Sequence, residues 1–216
     1  DLLPILKIIK NSSPNIFTVY DIHENMTALY RTFSQRNFII KEIAIMKRNL
    51  NEIKHLKFVD QIILANPIIE GLSYQKFKIP TIVLENFVEK KYITKKKDMH
   101  KKPNLIYHGH LGPERGIEHL VKAMSIVVKT FYEAKLSLLG SFRTKLFENK
   151  VKSLIKDLSL EKNVHIVEQV PYSLVWGILS KNTIGVIPFN KTPLTESCVP
   201  TKLFEMMACL DQIVAS

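Results

Sequence analysis

Leu105-Ile106-Tyr107-His108-Gly109-His110-Leu111-Gly112-Pro113-Glu114-Arg115-Gly116 is the stretch from which the rest of the chain can be read. Four strand-forming residues run straight into a segment with three glycines and a proline, and a helical pattern follows. A continuous apolar strand that turns into a helix belongs to a parallel sheet covered on both faces. Glycines at such a turn let the backbone approach a ligand, and the N-terminus of the next helix attracts anions. Arg115 and His110 add side-chain donors for a phosphate. The glycine spacing is not the dinucleotide fingerprint, which argues against a nicotinamide site; an ordinary strand-to-helix turn also fits.

The same rhythm extends in both directions. Short apolar runs at 16–20, 61–65 and 81–84 precede this stretch, and runs at 136–139, 164–167, 183–187 and 212–215 follow it. Between them lie helical patterns, notably 33–57, 115–130, 144–159 and 200–209. This predicts an α/β fold with parallel sheets flanked by helices. Residues 87–103 break the rhythm: Lys90, Lys91, Lys95, Lys96, Lys97, Lys101 and Lys102 stand among few apolar residues, ending at Pro103. They read as a solvated basic linker between a unit of 1–86 and a unit of 104–216. The first unit has only three strands, and 211–216 reads as a buried strand with nothing after it. The expectation is a fragment, with the first strands and the final helices outside it.

Composition narrows the function classes. The 216 residues are 46% hydrophobic and 24% charged, which excludes disorder and collagen-like repeats. No eighteen-residue apolar run spans a bilayer. Cys198 and Cys209 cannot build a disulfide framework, so a reducing, cytoplasmic setting is expected. Asn11-Ser12-Ser13 and Asn25-Met26-Thr27 match the glycosylation triplet at the rate chance allows in an Asn-rich chain. No charged-then-apolar leader is visible. Thirty-one basic against 20 acidic residues give a formal charge of +11. That excess favours nucleic acid, acidic lipid headgroups or phosphorylated small molecules, although a Lys- and Ile-rich background produces it as well. Without basic residues interleaved with aromatics, nucleic acid is not expected as a partner.

Within 33–57, Ile39, Ile43, Met46, Leu50 and Ile53 recur at spacings of 4, 3, 4 and 3, a single apolar stripe. Arg36, Lys41, Lys47, Arg48, Lys54 and Lys57 surround it. The first expectation is a stripe packed on the sheet with a solvated basic face. The second is a peripheral contact with anionic membrane, on its inner face.

Val199-Pro200-Thr201-Lys202-Leu203-Phe204-Glu205-Met206-Met207-Ala208 carries the second chemical signal. Pro200 suits a helix start, and Lys202 and Glu205, three apart, project from one face. A lysine there neutralises a phosphate, and a glutamate accepts from two sugar hydroxyls. A simple surface salt bridge is the competing reading.

Together these segments resemble a GT-B glycosyltransferase of family 4 (glycosyl transferases group 1). The matching pieces are Tyr107-His108-Gly109-His110-Leu111 with Arg115-Gly116-Ile117, Leu138-Leu139-Gly140, Asn163-Val164-His165-Ile166, Val170-Pro171, Ile184-Gly185-Val186-Ile187-Pro188, the Pro200–Ala208 run and Ile213-Val214-Ala215-Ser216. In the first half, Val19-Tyr20-Asp21-Ile22-His23-Glu24, Asp60-Gln61-Ile62-Ile63-Leu64-Ala65-Asn66 and Ile82-Val83-Leu84-Glu85-Asn86 are similar too. The resemblance implies two Rossmann-like lobes: a partial acceptor-side lobe at 1–86 and a nucleotide-sugar lobe at 104–216.

It also implies roles. Glu205 matches the glutamate on the donor ribose, and Arg115 the basic residue on the diphosphate, with Gly109 and Lys202 beside them. His110 stands where the family has arginine. The family's other acidic residue falls at Ser197, with Glu196 one place off; these are the donor-sugar candidates. His23 matches the cleft histidine that contacts the donor sugar, and a loop histidine bonded to backbone is its alternative. The implied activity is retaining transfer of a sugar from a UDP- or GDP-linked donor to a polysaccharide or lipid-linked glycan acceptor, as in cell-envelope polysaccharide biosynthesis. No cofactor and no metal are expected, since no Asp-x-Asp occurs and no His/Cys cluster has ligand spacing. A sugar-nucleotide epimerase on the same fold and a nucleotide-binding, non-catalytic remnant are the alternatives.

Overall fold

The computed structural model describes residues 2–66, 74–93, 103–196, 198–210 and 212–216. Residues 94–102 of the lysine-rich stretch, and Ser197, lie outside the described residues. The chain divides into two compact units, Asp1–Asn86 with Thr192–Val199, and Phe87–Lys191 with Pro200–Ser216.

In the first unit α1 (Leu3–Ser12) leads to β1 (Val19–Ile22), α2 (Met26–Phe33), α3 (Phe38–Leu56), β2 (Gln61–Leu64) and β3 (Thr81–Val83). The strands form a parallel sheet in the order β1-β2-β3, with Val19 opposite Gln61 and Ile62 opposite Thr81. Leu3, Ile22, Leu56, Val59, Ile62 and Tyr74 make its core. Glu52 is buried on α3, and its carboxylate accepts from the hydroxyls of Tyr20 (3.1 Å) and Tyr74 (3.0 Å) and from Arg48 (2.9 Å). Three donors make that buried charge tolerable and tie the helix to β1 and to the short helical turn at Tyr74–Phe77.

Two local expectations shift. The pattern at 33–57 is interrupted: α2 ends at Phe33, and the Asn37 side chain accepts from Ile40 N–H to start α3 afresh. The run at 16–20 becomes a strand only from Val19, because the Thr18 N–H goes to the Asp60 carboxylate at 2.7 Å instead of a ladder. The packing of α3 is a larger correction. The helix packs through Ile45, Glu52, His55 and Leu56, whereas Ile39, Ile43, Met46, Leu50 and Ile53 stand exposed, from 37% at Ile53 to 70% at Ile39. The apolar stripe is therefore not the face laid on the sheet.

The second unit runs β4 (Asn104–His108), α4 (Ile117–Thr130), β5 (Lys135–Leu139), α5 (Lys145–Asp157), β6 (Val164–Val167), α6 (Tyr172–Leu179) and β7 (Ile184–Ile187). Residues 192–199, with the short α7 (Pro193–Glu196) packed on α2, belong to the first unit; the chain then completes the second with α8 (Thr201–Cys209) and β8 (Gln212–Ala215). Its five strands are all parallel in the order β6-β5-β4-β7-β8. The inner strands β5, β4 and β7 are covered on both faces, whereas the edge strand β8 is largely exposed. Tyr107, Leu136, Leu138, Val164 and Val186 pack with α4 and α5, while Ile106, Leu139 and Ile187 pack with Leu179 of α6 and Met206 of α8. Strand alternation explains this: neighbours in β4 point to opposite faces, so His108 follows Ile106 toward α6 and α8.

The strand order reverses between β4 and β7: the chain runs outward from β4 to the edge strand β6, then crosses to β7 on the other side of β4. In open α/β sheets that switch point, at the carboxyl ends of the strands, is where ligands bind. Gly116 fits there through the absence of a side chain. Its φ is +69°, and a Cβ on it would lie 1.6 Å from the carbonyl oxygen of Pro188, just past β7.

Candidate functional site

At the carboxyl end of β4 the chain turns at Gly109 with φ +110°, and a Cβ there would stand 2.7 Å from Lys202 Nζ. The glycine thus opens the space that the lysine enters from α8. Lys202 Nζ donates to the Tyr107 hydroxyl at 3.0 Å and lies 4.6 Å from the centre of that ring. The Tyr107 hydroxyl in turn donates to the carbonyl of His110 at 2.9 Å, holding the loop after β4.

Arg115 converges on the same place. Its guanidinium carbon lies 4.6 Å from the centre of the Phe189 ring, and Lys202 Nζ lies 5.2 Å from that centre. Two cations share one aromatic ring just past β7, a favourable placement for each. Arg115 Nε is buried, 3.5 Å from Glu114 and without a hydrogen-bond acceptor among the described residues. Glu114 itself is buried and accepts from Arg143 at 2.9 Å. Two arginines around one carboxylate leave net positive charge at the loop, as binding a phosphate group requires.

Glu205, one turn along α8 from Lys202, is buried. Its Oε2 lies 3.2 Å from Nε2 of His108, which is buried as well. The Tyr172 hydroxyl hydrogen-bonds to the same carboxylate, and the Tyr172 ring is held edge-on by Trp176 (5.5 Å) and Tyr92 (5.9 Å). Burial pushes the Glu205 pKa up, against the pull of Tyr172 and Lys202. Burial, aided by the Lys202 charge, pushes His108 down to about 4, a hydrogen bond to the Lys202 backbone working the other way. His108 is therefore neutral near pH 7. Burial and Glu205 raise the Tyr172 phenol to about 12. A cavity of about 230 Å³ opens beside these groups, lined by His108, Gly109, His110, Gly140, Gln169 and Tyr172 among others.

Gly109, His110, Arg115, Lys202 and Glu205 thus gather at one sheet end. His110 is exposed at the cavity, its Nδ1 3.4 Å from Ser141 Oγ. His23 and Glu196 belong to the first unit. His23 follows β1, is exposed, and has its Nε2 2.9 Å from Asp21 Oδ2. Its partner is a carboxylate rather than backbone. Glu196 closes α7 on the surface. No group of three or more His, Cys, Asp or Glu among the described residues is placed to hold a metal ion. His108, Tyr172 and Phe189 are additions that the sequence alone did not single out. His108 had a signal, as the last strand residue before a glycine, facing the helix that carries Glu205.

The profile of the Glycosyl transferases group 1 family matches residues 88–216, more than half of the chain. The chain belongs to this family. No curated protein matches it in sequence. Among solved structures, HepE of Anabaena in complex with UDP is similar at 16% identity and TM-score 0.72, covering 99% of this chain and 56% of that one. The sucrose-phosphate synthase of Thermosynechococcus elongatus is similar at 17% identity and TM-score 0.61, over 100% and 61% of the two chains. The pneumococcal O-GlcNAc transferase GtfA, in complex with UDP and GlcNAc, aligns at 16% identity and TM-score 0.56, over 77% and 32%. At such identities the likeness shows the fold, which is of the GT-B type. The chain spans between 32% and 61% of the length of these proteins. The group 1 region contains Gly109, His110, Arg115, Lys202 and Glu205, so the residues gathered at the switch point all lie in the segment that defines the family.

Proposed function

We propose that the chain binds a nucleotide-sugar through its second unit and serves in glycosyl transfer to a polysaccharide or lipid-linked glycan. The observation that carries this reading is the convergence of Arg115 and Lys202 on Phe189, beside the buried Glu205, at the strand-order reversal of a group 1 glycosyl transferase domain. On this reading Arg115, Lys202 and the backbone at Gly109 and His110 receive the diphosphate. Glu205 accepts from the ribose hydroxyls, positioned by Tyr172 and His108. UDP bound to HepE and to GtfA makes a uridine nucleotide the first donor to test, with GDP-linked donors beside it.

The chemistry follows from charge. Negative charge builds on the diphosphate as the glycosidic bond breaks, and fixed cations with a helix N-terminus stabilise it without a metal. The reaction retains configuration. By the family resemblance His23 is the proposed donor-sugar residue, with Glu196 and Ser197 as further candidates, and the first unit is proposed to serve the acceptor.

The test is calorimetric titration of the protein with uridine, UMP, UDP and GDP. The expected result is tighter binding of a nucleoside diphosphate than of its nucleoside, with the difference lost in Arg115→Ala. Equal affinity for uridine and UDP would remove the diphosphate assignment. Product analysis with a nucleotide-sugar and a glycan acceptor then separates transfer from epimerisation and from inert binding.

A further inference from the structure

Glu114 and Arg143 stand beside the cations of the switch point and take no part in binding on the reading above. Glu114 lies in the helical turn Pro113–Arg115 after β4. Its backbone is pinned from the loop after β7: its carbonyl accepts from Asn190 N–H at 3.1 Å, and the Asn190 side chain donates to the Pro113 carbonyl at 2.7 Å. Arg143 comes from the loop between β5 and α5. That loop is stitched to the one after β4, because Leu111 N–H donates to the Ser141 carbonyl (2.9 Å) and Arg143 N–H to the Leu111 carbonyl (3.1 Å). Backbone bonds thus fix where both side chains start.

The buried Glu114 carboxylate lies over Gly112, where a Cβ would stand 2.6 Å from Oε1. That one oxygen meets two guanidinium groups. Arg143 Nη2 donates to it at 2.9 Å, whereas Arg115 Nε, buried and without an acceptor among the described residues, stops at 3.5 Å. A charged pair of this kind ordinarily closes to about 2.7–2.9 Å. Arg115 does not close, and its guanidinium lies over the Phe189 ring instead. Burial raises the Tyr107 phenol pKa, while Arg115 lowers it, Glu114 raises it and Arg143 lowers it. All three charges therefore act at the hydroxyl that Lys202 bonds.

We infer, resting on the diphosphate site proposed above, that Arg143 is a positioning residue: by holding the Glu114 carboxylate it keeps the Arg115 guanidinium available to the diphosphate. With Arg143 in place, the two arginines and Glu114 leave one positive charge for a ligand to meet. Without it, a buried carboxylate facing a single arginine closes on that arginine, since a buried charge left unpaired is the costlier arrangement. Arg115 is then neutralised by its own neighbour.

Titration with uridine and UDP, joined to urea denaturation of the ligand-free variants, tests this role. Arg143→Gln should lower UDP affinity roughly tenfold, as expected for one weakened charge-assisted contact, and leave uridine affinity as it was. Glu114→Gln/Arg143→Gln should recover UDP affinity, because no carboxylate remains to draw Arg115 aside. Lys145→Gln removes an equal charge two residues from Arg143, from an exposed side chain paired with Glu148, and should change neither affinity. In the unliganded protein, the cycle of Glu114→Gln and Arg115→Gln should show a larger coupling when residue 143 is Gln than when it is Arg. The difference should be roughly tenfold in the unfolding constant. The role is overturned if Arg143→Gln binds UDP like the parent, or if the coupling is the same in both backgrounds. It is also overturned if the double variant stays weak, which would mean that Arg143 touches the phosphate itself, or if Lys145→Gln weakens UDP as much, which would mean a general field. A parent that binds uridine and UDP equally would defeat the diphosphate site instead. The cycle, which needs no ligand, would then still decide whether Arg143 holds Glu114 off Arg115.

Discussion

Oε2 of Glu205 lies 3.2 Å from Nε2 of His108, both groups being buried between α8 and β4. Burial acts on the two in opposite senses, holding the imidazole neutral and raising the carboxyl group. A neutral imidazole compensates a buried carboxylate less than an imidazolium does. Glu205 is thus an acceptor held at some cost in the empty protein, and that cost falls when a ligand supplies hydroxyl donors.

Glu205→Gln should therefore do two things at once. The empty protein should melt at a higher temperature near pH 7, because a neutral amide removes a buried charge. Binding of nucleoside should weaken roughly ten- to a hundredfold, the loss of charge-assisted hydrogen bonds to two hydroxyls. Scanning calorimetry and titration of one variant check both. A surface salt-bridge role would leave binding unchanged and move stability by at most about 1 kcal/mol.

His108 makes stability depend on pH in a defined window. Its folded-state pKa, about 4, is below the ordinary 6.5, so the unfolded chain takes up this proton first as pH falls. The contribution is fully present above about pH 6.5 and is lost progressively down to about pH 4. The whole drop corresponds to about 3 kcal/mol. Glu205, with its raised pKa, works against this loss at the acid end, since the folded state favours its protonated form. Melting temperatures of the parent and of His108→Asn between pH 7 and 4 should converge as pH falls. Parallel curves would show that His108 does not titrate in this window.

Two glycine substitutions should move stability in opposite directions. Gly116→Ala places a methyl 1.6 Å from the Pro188 carbonyl oxygen at a φ of +69°, and should cost at least about 3 kcal/mol. Gly177 lies exposed inside α6, with nothing within 4 Å of an added Cβ. Gly177→Ala should stabilise by about 0.5–1 kcal/mol through helix propensity alone. Urea denaturation of the pair measures both signs.

The strand–helix rhythm was legible because parallel strands buried on two faces read as unbroken apolar runs, as at 136–139 and 164–167. Lys202 and Glu205 stood out because a helix start limits which side chains can reach a ligand together. The grouping of Glu205 with His108 and Tyr172 was not legible: it depends on α6 and α8 lying over one face of β4, which only tertiary packing sets. For the same reason the α3 stripe was placed on the sheet. Periodicity shows that Ile39, Ile43 and Leu50 share a face, but not what covers that face. The helices at 3–12, 26–33 and 172–179 carry weak sequence signals, because two of them are short and apolar residues in α6 lie all round.

The Phe189 ring sits 4.6 Å from the Arg115 guanidinium carbon and 5.2 Å from Lys202 Nζ. If the ring orients both cations toward one diphosphate, Phe189→Leu keeps apolar volume but removes the π-face on which they rest. Each cation–π contact contributes about 0.5–2 kcal/mol. UDP affinity should then fall roughly three- to thirtyfold, while uridine affinity stays as it was, because the nucleoside does not reach the cations. Phe189→Tyr, which retains an aromatic face, should bind UDP like the parent. A ring that only fills space predicts a different pattern, with stability lowered and both ligands weakened equally or not at all. Titrating the two variants with uridine and UDP, alongside their melting temperatures, separates orientation of the cations from packing.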